Sequence, residues 1–140
     1  MKTKKCYRCS QDLPLENFSN YKKTKDGKCY ECKECHNNRI KQYGKKRNKK
    51  AKQSVLHYYS NGTMSCVHCG FSDARALSID HINGGGTKHR IEVLGANRGG
   101  TKFYEWLIRN TYPTGFQVLC MNCQFIKKSE NKEDAYHLSA

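Results

Sequence analysis

The sequence has no apolar run long enough to span a bilayer. No apolar signal segment follows Met1 either, because Lys2, Lys4 and Lys5 lead straight into Cys6. The expectation is no membrane partner and a reducing cytoplasm in which thiols stay free. Acidic residues are also scarce: 12 Asp and Glu stand against 26 Lys and Arg, a net charge of +14. The chain lacks the length for one large core, since small domains bury a smaller fraction of their surface. Its 140 residues allow one or two small domains.

What is abundant is cysteine. Nine cysteines in so short a chain imply that something staples it. The spacings favour metal over disulfides. Cys6 and Cys9, Cys32 and Cys35, Cys66 and Cys69, and Cys120 and Cys123 each form a C-x2-C pair. Thiolates at that spacing fit two corners of a tetrahedron around zinc. An odd count argues further against a closed disulfide framework. Cys29 is the odd thiol. Cys29-x2-Cys32 is itself a C-x2-C, and His36 is another spare ligand, but Cys6, Cys9, Cys32 and Cys35 form the preferred quartet. Few apolar residues lie between these knuckles, so a metal must hold residues 1–38 together.

The charge is uneven. Residues 1–65 carry 17 Lys and Arg against 5 Asp and Glu, whereas residues 66–140 carry 9 against 7. A basic half beside a near-neutral half implies a polyanion-binding arm attached to a domain with another task. The most basic stretch is residues 39–52, with Arg39, Lys41, Lys45, Lys46, Arg47, Lys49, Lys50 and Lys52. It has no proline and only Gly44 as a breaker. It can be helical when docked on phosphates and frayed when free. Such an arm reads backbone charge and carries no sequence code. Tyr43, Tyr58 and Tyr59 can stack on bases or serve as packing residues.

Residues 53–140 form the third part. Ser54 to Tyr59 has the spacing of a short amphipathic helix. Met64 to Gly70 is a knuckle, Ala76 to Ile82 reads as a strand, and a glycine loop opens a loose stretch running to Gly100. Lys102 to Asn110 has helical spacing with Phe103, Trp106 and Leu107 on one face, which places Trp106 in the core. Phe116 to Leu119 is a second strand, and the knuckle Cys120–Cys123 leads into a helix of about ten residues. Cys66, Cys69, Cys120 and Cys123 then make a second four-thiolate site, with no open coordination position. His57, His68 and His137 are left as surface or packing residues.

The stretch I-D-H-I, Ile79 to Ile82, followed by V-L-C-M-N-C-Q-F-I-K-K, Val118 to Lys128, resembles the HNH endonuclease motif of the ββα-metal nucleases. The resemblance covers about residues 65–128. The G-G-G-x-x-H-R loop, Gly84 to Arg90, and the Y-P-x-G-F-Q-V-L-C-x-N-C ending resemble the small HNH enzymes of bacteriophages, of homing type. The K-K-C-Y-R-C and C-K-E-C segments look like the zinc-binding element often found ahead of phage nucleases. The resemblance implies an α+β fold: a small zinc-stabilised ββα-metal domain preceded by a zinc-binding element and a basic, helical arm.

It also implies a chemistry. His81 is the general base on the attacking water, a task suited to an imidazole titrating near neutrality. Asp80 is a hard-oxygen ligand for a divalent cation, Mg²⁺ or Mn²⁺, on the scissile phosphate. His89 and Arg90 return from the glycine loop to the same phosphate, with Arg90 as an electrostatic clamp. Two positions depart from the family. The Asn that orients the catalytic His falls on Gly115, for which Asn83, Asn97 or Asn110 can substitute. The last metal ligand, His or Asn in the family, is Gln124, whose amide oxygen is one methylene further out than that of Asn. The expected activity is metal-dependent cleavage of double-stranded DNA, as nicks or double-strand breaks, by a monomer or homodimer. The alternatives are a non-catalytic nucleic-acid-binding zinc protein on the same scaffold, and an RNA nuclease.

Overall fold

A computed structural model describes residues 2–132. The chain divides into two compact units, Met1–Arg47 and Asn48–Ala140. In the first, β1 (Thr3–Lys5) pairs antiparallel with β2 (Asp12–Pro14), setting Thr3 opposite Pro14 and Lys5 opposite Asp12. A single 3₁₀ turn, Leu15–Asn17, leads to β3 (Phe18–Asn20). This strand pairs antiparallel with β4 (Lys28–Cys32) through a register irregularity between Phe18 and Asn20. Two-stranded ribbons are marginal in water. The buried cluster here is Cys6, Phe18 and Cys32, with Leu13 and Cys35 packed against it. Burying Phe18 contributes about 2–3 kcal/mol, whereas ordering each residue's backbone costs about 1–2 kcal/mol. The apolar core alone is small, and a metal held by its four cysteines would supply what the core lacks.

α1 (Lys33–Tyr59) is one continuous helix of 27 residues. The sequence separates a basic arm from a short helix at Ser54, but the structure joins them and starts the helix earlier, inside the Cys32–Cys35 knuckle. Gly44 does not interrupt it; a glycine inside a helix costs about 1 kcal/mol, too little to break it. The charged middle is helical because both ends are pinned. Cys35 lies in the first turn, and Ala51, Val55 and Leu56 are buried near the end. Helix formation is cooperative, so anchored ends carry the residues between them. The basic residues 39–52 are thus not a separate part of the chain but are shared between the two units.

In the second unit, β5 (Leu77–His81) and β6 (Phe116–Cys120) pair antiparallel in unbroken register, from Leu77 opposite Cys120 to His81 opposite Phe116. α4 (Met121–Glu130) follows β6 without a linker. Cys120 is its N-cap, and the Cys120 thiol accepts the Cys123 N–H at 3.4 Å. The stretch before Gly100 is less loose than its sequence implies, because α2 (Gly86–Leu94) occupies it. Gly85 at φ 72° opens that helix and Gly95 at φ 71° closes it, with the Gly95 N–H bonded to the Ile91 carbonyl. Such left-handed positions favour glycine. α3 (Thr101–Arg109) buries Phe103, Tyr104 and Leu107. One core cluster joins Leu56, Leu77, Val118 and Leu119 to Cys66 and Cys120. A second joins Ala51 and Val55 to the buried face of α3. The fold is α+β, and among the described residues no helix is long and apolar enough to cross a membrane.

Candidate metal centres and active site

Two thiol quartets are assembled: Cys6, Cys9, Cys32, Cys35 and Cys66, Cys69, Cys120, Cys123. Within each, the four Sγ atoms lie within 4.8 Å of one another. Cys69 Sγ and Cys120 Sγ are 3.7 Å apart. A tetrahedron with Zn–S bonds of about 2.3 Å has edges of about 3.8 Å. Backbone N–H groups already point at the sulfurs: that of Cys32 at Cys6 Sγ (3.3 Å) and that of Cys35 at Cys32 Sγ (3.5 Å). The Cys9 N–H foremost holds the Cys6 thiol down at about 6. Burial opposes ionisation of Cys66, but the N–H groups of Cys120, Cys69 and His68 outweigh it and bring that thiol to about 6 as well. Hydrogen bonding with Cys32 pushes Cys35 up to about 12, and Cys120 does the same to Cys123. The N–H groups around Cys6 and Cys66 thus favour their thiolates, and a divalent cation would supply the charge that ionises the remaining thiols. Both quartets can hold zinc, and neither leaves an open position for chemistry. Cys29 stands outside them, and His36 bonds Glu31 through Nδ1 at 2.8 Å.

Asp80 and His81 close β5 at the edge of a cleft of about 240 Å³. Residues from β5, the glycine loop, α2 and α4 line it, including Gly86, Arg90, Gln124 and Lys127. Asp80 Oδ2 accepts from Gln117 Nε2 at 2.8 Å and from Lys127 Nζ at 2.6 Å. The Asp80 and Lys127 side chains are 17% and 15% exposed, so water screens this pair only in part. Lys127 Nζ also donates to the His81 carbonyl, and the Gln124 amide donates to Ser78 Oγ. Ser78 and Asp80 are two apart on a strand, and Gln124 and Lys127 three apart on a helix. These spacings put each pair on one face and make two matching rungs. Both donors to Asp80 fall on Oδ2. Among the described residues no donor reaches Oδ1, so a carboxylate oxygen remains for a hard cation, as does the carbonyl oxygen of the Gln124 amide.

His81 faces a different wall. Its ring stacks on Phe103 at 5.4 Å between centroids, and its Nε2 lies 3.0 Å from Nδ1 of His89. Trp106 packs edge-on to His89 at 5.2 Å and stacks on Phe103. Burial foremost, then the neighbours His89 and Arg90, push His81 down to about 4, against the opposing pull of Asp80. The imidazole is thus neutral at pH 7. Beside it the chain needs a glycine for space: a Cβ at Gly86 would stand 2.8 Å from His81 Nδ1 and 3.0 Å from an Arg90 guanidinium nitrogen.

Asp80, His81, Arg90 and Gln124 line one cleft, and His89 bonds His81. Of the asparagines considered for the orienting role, Asn97 accepts from Arg90 Nε at 3.1 Å and Asn110 caps α3 through the Trp106 carbonyl. Asn83 is exposed. The partner of His81 is a histidine instead. Gln117, Ser78 and Gly86 were missed by sequence reasoning. The strand alternation that sets Gln117 opposite Asp80 was a usable signal for the first. Among the basic residues, Lys41, Lys45, Lys46, Arg47, Lys49 and Lys50 are exposed. Arg39 is bound to Glu31 at 2.6 Å, and Lys52 donates to the Arg75 carbonyl at 3.4 Å, with burial pushing its ammonium down. His137 lies outside the described residues. Compared with known proteins, the chain matches no family model, no curated protein and no solved structure.

Proposed function

We propose that this protein is a metal-dependent DNA endonuclease of the HNH type, with a ββα-metal site built from β5, β6 and α4. The observation that carries the reading is the cleft itself. A neutral imidazole, a carboxylate with one oxygen to spare, an amide oxygen and an arginine converge on one space beside a glycine. In the tautomer in which His81 Nε2 donates to His89 Nδ1, Nδ1 of His81 is the bare acceptor, next to Gly86. It takes a proton from water as that water attacks phosphorus. His89 fixes the tautomer and holds the ring, as the Asn does in the resembling family. Arg90 and the first-turn N–H groups of α2 present positive charge to the phosphate. Asp80 and Gln124 are the oxygen donors for Mg²⁺ or Mn²⁺. When bound there, the metal stabilises charge on the leaving oxygen. The exposed lysines of α1 supply salt-dependent affinity for the DNA backbone.

One observation favours a second reading, a binding protein without turnover. Lys127 occupies Asp80 Oδ2 at 2.6 Å and the Gln124 amide is engaged by Ser78. If these bonds persist on DNA, the Lys127 ammonium already balances the Asp80 charge and Ser78 holds the Gln124 side chain, so a cation gains little at the two oxygens left. Incubating zinc-loaded protein with supercoiled plasmid, with and without Mg²⁺ or Mn²⁺, separates the two readings. Metal-dependent nicked or linear product, absent with His81→Ala, supports the nuclease; shifted but intact plasmid supports the binder.

A further inference from the structure

The first unit carries aromatic surface that its fold does not use. Tyr7, Tyr30 and Tyr21 are 81%, 64% and 42% exposed. They line one shallow groove together with Arg8 and Arg39. Tyr7 and Arg8 are the two residues between Cys6 and Cys9, and the Tyr7 N–H donates to the Tyr30 carbonyl at 2.9 Å. The metal loop and β4 thus bring these two tyrosines to one place. Lys4 Nζ lies over the Tyr30 ring, 5.3 Å from its centroid, and is anchored on Asp26 at 2.6 Å. Glu31 binds Arg8 at 3.2 Å, Arg39 at 2.6 Å and His36 at 2.8 Å. Two guanidinium groups are therefore fixed beside the rings before any ligand arrives.

We propose that the Tyr7, Tyr21 and Tyr30 face stacks unpaired bases of single-stranded DNA, with Arg8 and Arg39 contacting the adjoining phosphates. The proposal rests on the DNA reading given above, which makes DNA the strand. Flat rings on a rigid scaffold fit bases because every base has a π-face. In a duplex those faces are already stacked on each other, so the groove selects unpaired stretches. Charge selects nucleic acid over an apolar peptide: residues 1–47 hold 14 Lys and Arg against 5 Asp and Glu. The first unit would then direct the protein to gapped, frayed or branched DNA, in addition to the backbone affinity of α1.

The test uses full-length, zinc-loaded protein without added Mg²⁺ and follows fluorescence anisotropy of labelled oligo-dT of about 15 nucleotides and of a duplex of the same length. Tyr7→Ala/Tyr30→Ala should weaken oligo-dT binding at least about tenfold and duplex binding less than about twofold. Tyr7→Phe/Tyr30→Phe, which keeps the rings, should bind oligo-dT like the parent. Unchanged zinc content in both double variants shows that the unit is folded. Equal losses on both DNAs, unchanged oligo-dT binding in the alanine variant, or tighter ring-dependent binding to oligo-U would each overturn the proposal. His81→Ala should bind oligo-dT normally, so failure of plasmid cleavage and failure of stacking are separate results.

Discussion

The two units solve the same problem from opposite ends. Both close a thiol quartet of two C-x2-C knuckles, yet the first surrounds it with Phe18 and little else, whereas the second surrounds it with two clusters of aliphatic and aromatic side chains. In the first, a bound metal would replace a core. In the second it would add to one, and its particular contribution would be register: Cys66 and Cys120 tie the chain ahead of β5 to the junction of β6 and α4. That junction aligns Gln117, Gln124 and Lys127 with Ser78 and Asp80. The same chemical unit therefore serves folding in one place and alignment in the other.

The largest expected effect separates those roles. Chelation should unfold the first unit completely, since zinc binding contributes about 10 kcal/mol or more to folding in small metal domains. α3 and its buried face should persist. Hydrogen exchange resolved by residue would show amides of residues 3–32 losing protection while those of Leu107 and Val118 keep part of theirs; equal loss in both units would erase the distinction. Cys32→Ser should reproduce the effect in the first unit alone. Next comes His81→Ala, expected to lower metal-dependent cleavage by about 10²–10⁴-fold with both quartets intact, as two zinc ions per chain by metal analysis would verify. Gly86→Ala should follow at about tenfold, because its Cβ must displace either His81 or Arg90, at a stability cost of about 1–3 kcal/mol; the melting temperature and the cleavage rate together would measure it.

The smallest expected effect is on pH dependence. His81 lies at about 4 in the folded chain, below the ordinary value of about 6.5 for an imidazole. The unfolded chain then binds the proton first as pH falls, so the His81 contribution to stability is present above about pH 6.5 and is lost as pH drops toward 4. Cleavage should be flat from pH 6 to 8 and decline only below about 5. A rate already falling by half at pH 6.5 would mean an imidazole unperturbed by its aromatic wall.

Much of this was legible because cysteine spacing and strand alternation act locally. The two quartets, β5, β6, α3 and α4 follow from short patterns. What was hidden depended on neighbours far along the chain. The break expected near Ser54 disappeared because the ends of α1 are anchored by different clusters, which local propensity does not record. α2 was obscured by its polar, glycine-flanked sequence. His89 gave no spacing signal as the partner of His81, since a turn of left-handed glycines brings it back. The Lys127 bond to Asp80 spans 47 positions and could be inferred only once β5 and α4 were set side by side.

That span has a consequence for synthesis. Asp80 and His81 leave the ribosome before Gln117, Gln124 and Lys127 exist, and before Cys120 and Cys123 can close the second quartet. Domains fold in the order in which they emerge, so the first quartet can load its metal while the cleft is still missing one wall. A nascent chain with its first unit already folded is thus without a complete cleft until the last turns of α4 have been made. The order of the residues along the chain acts as a delay between the first metal site and the cleft.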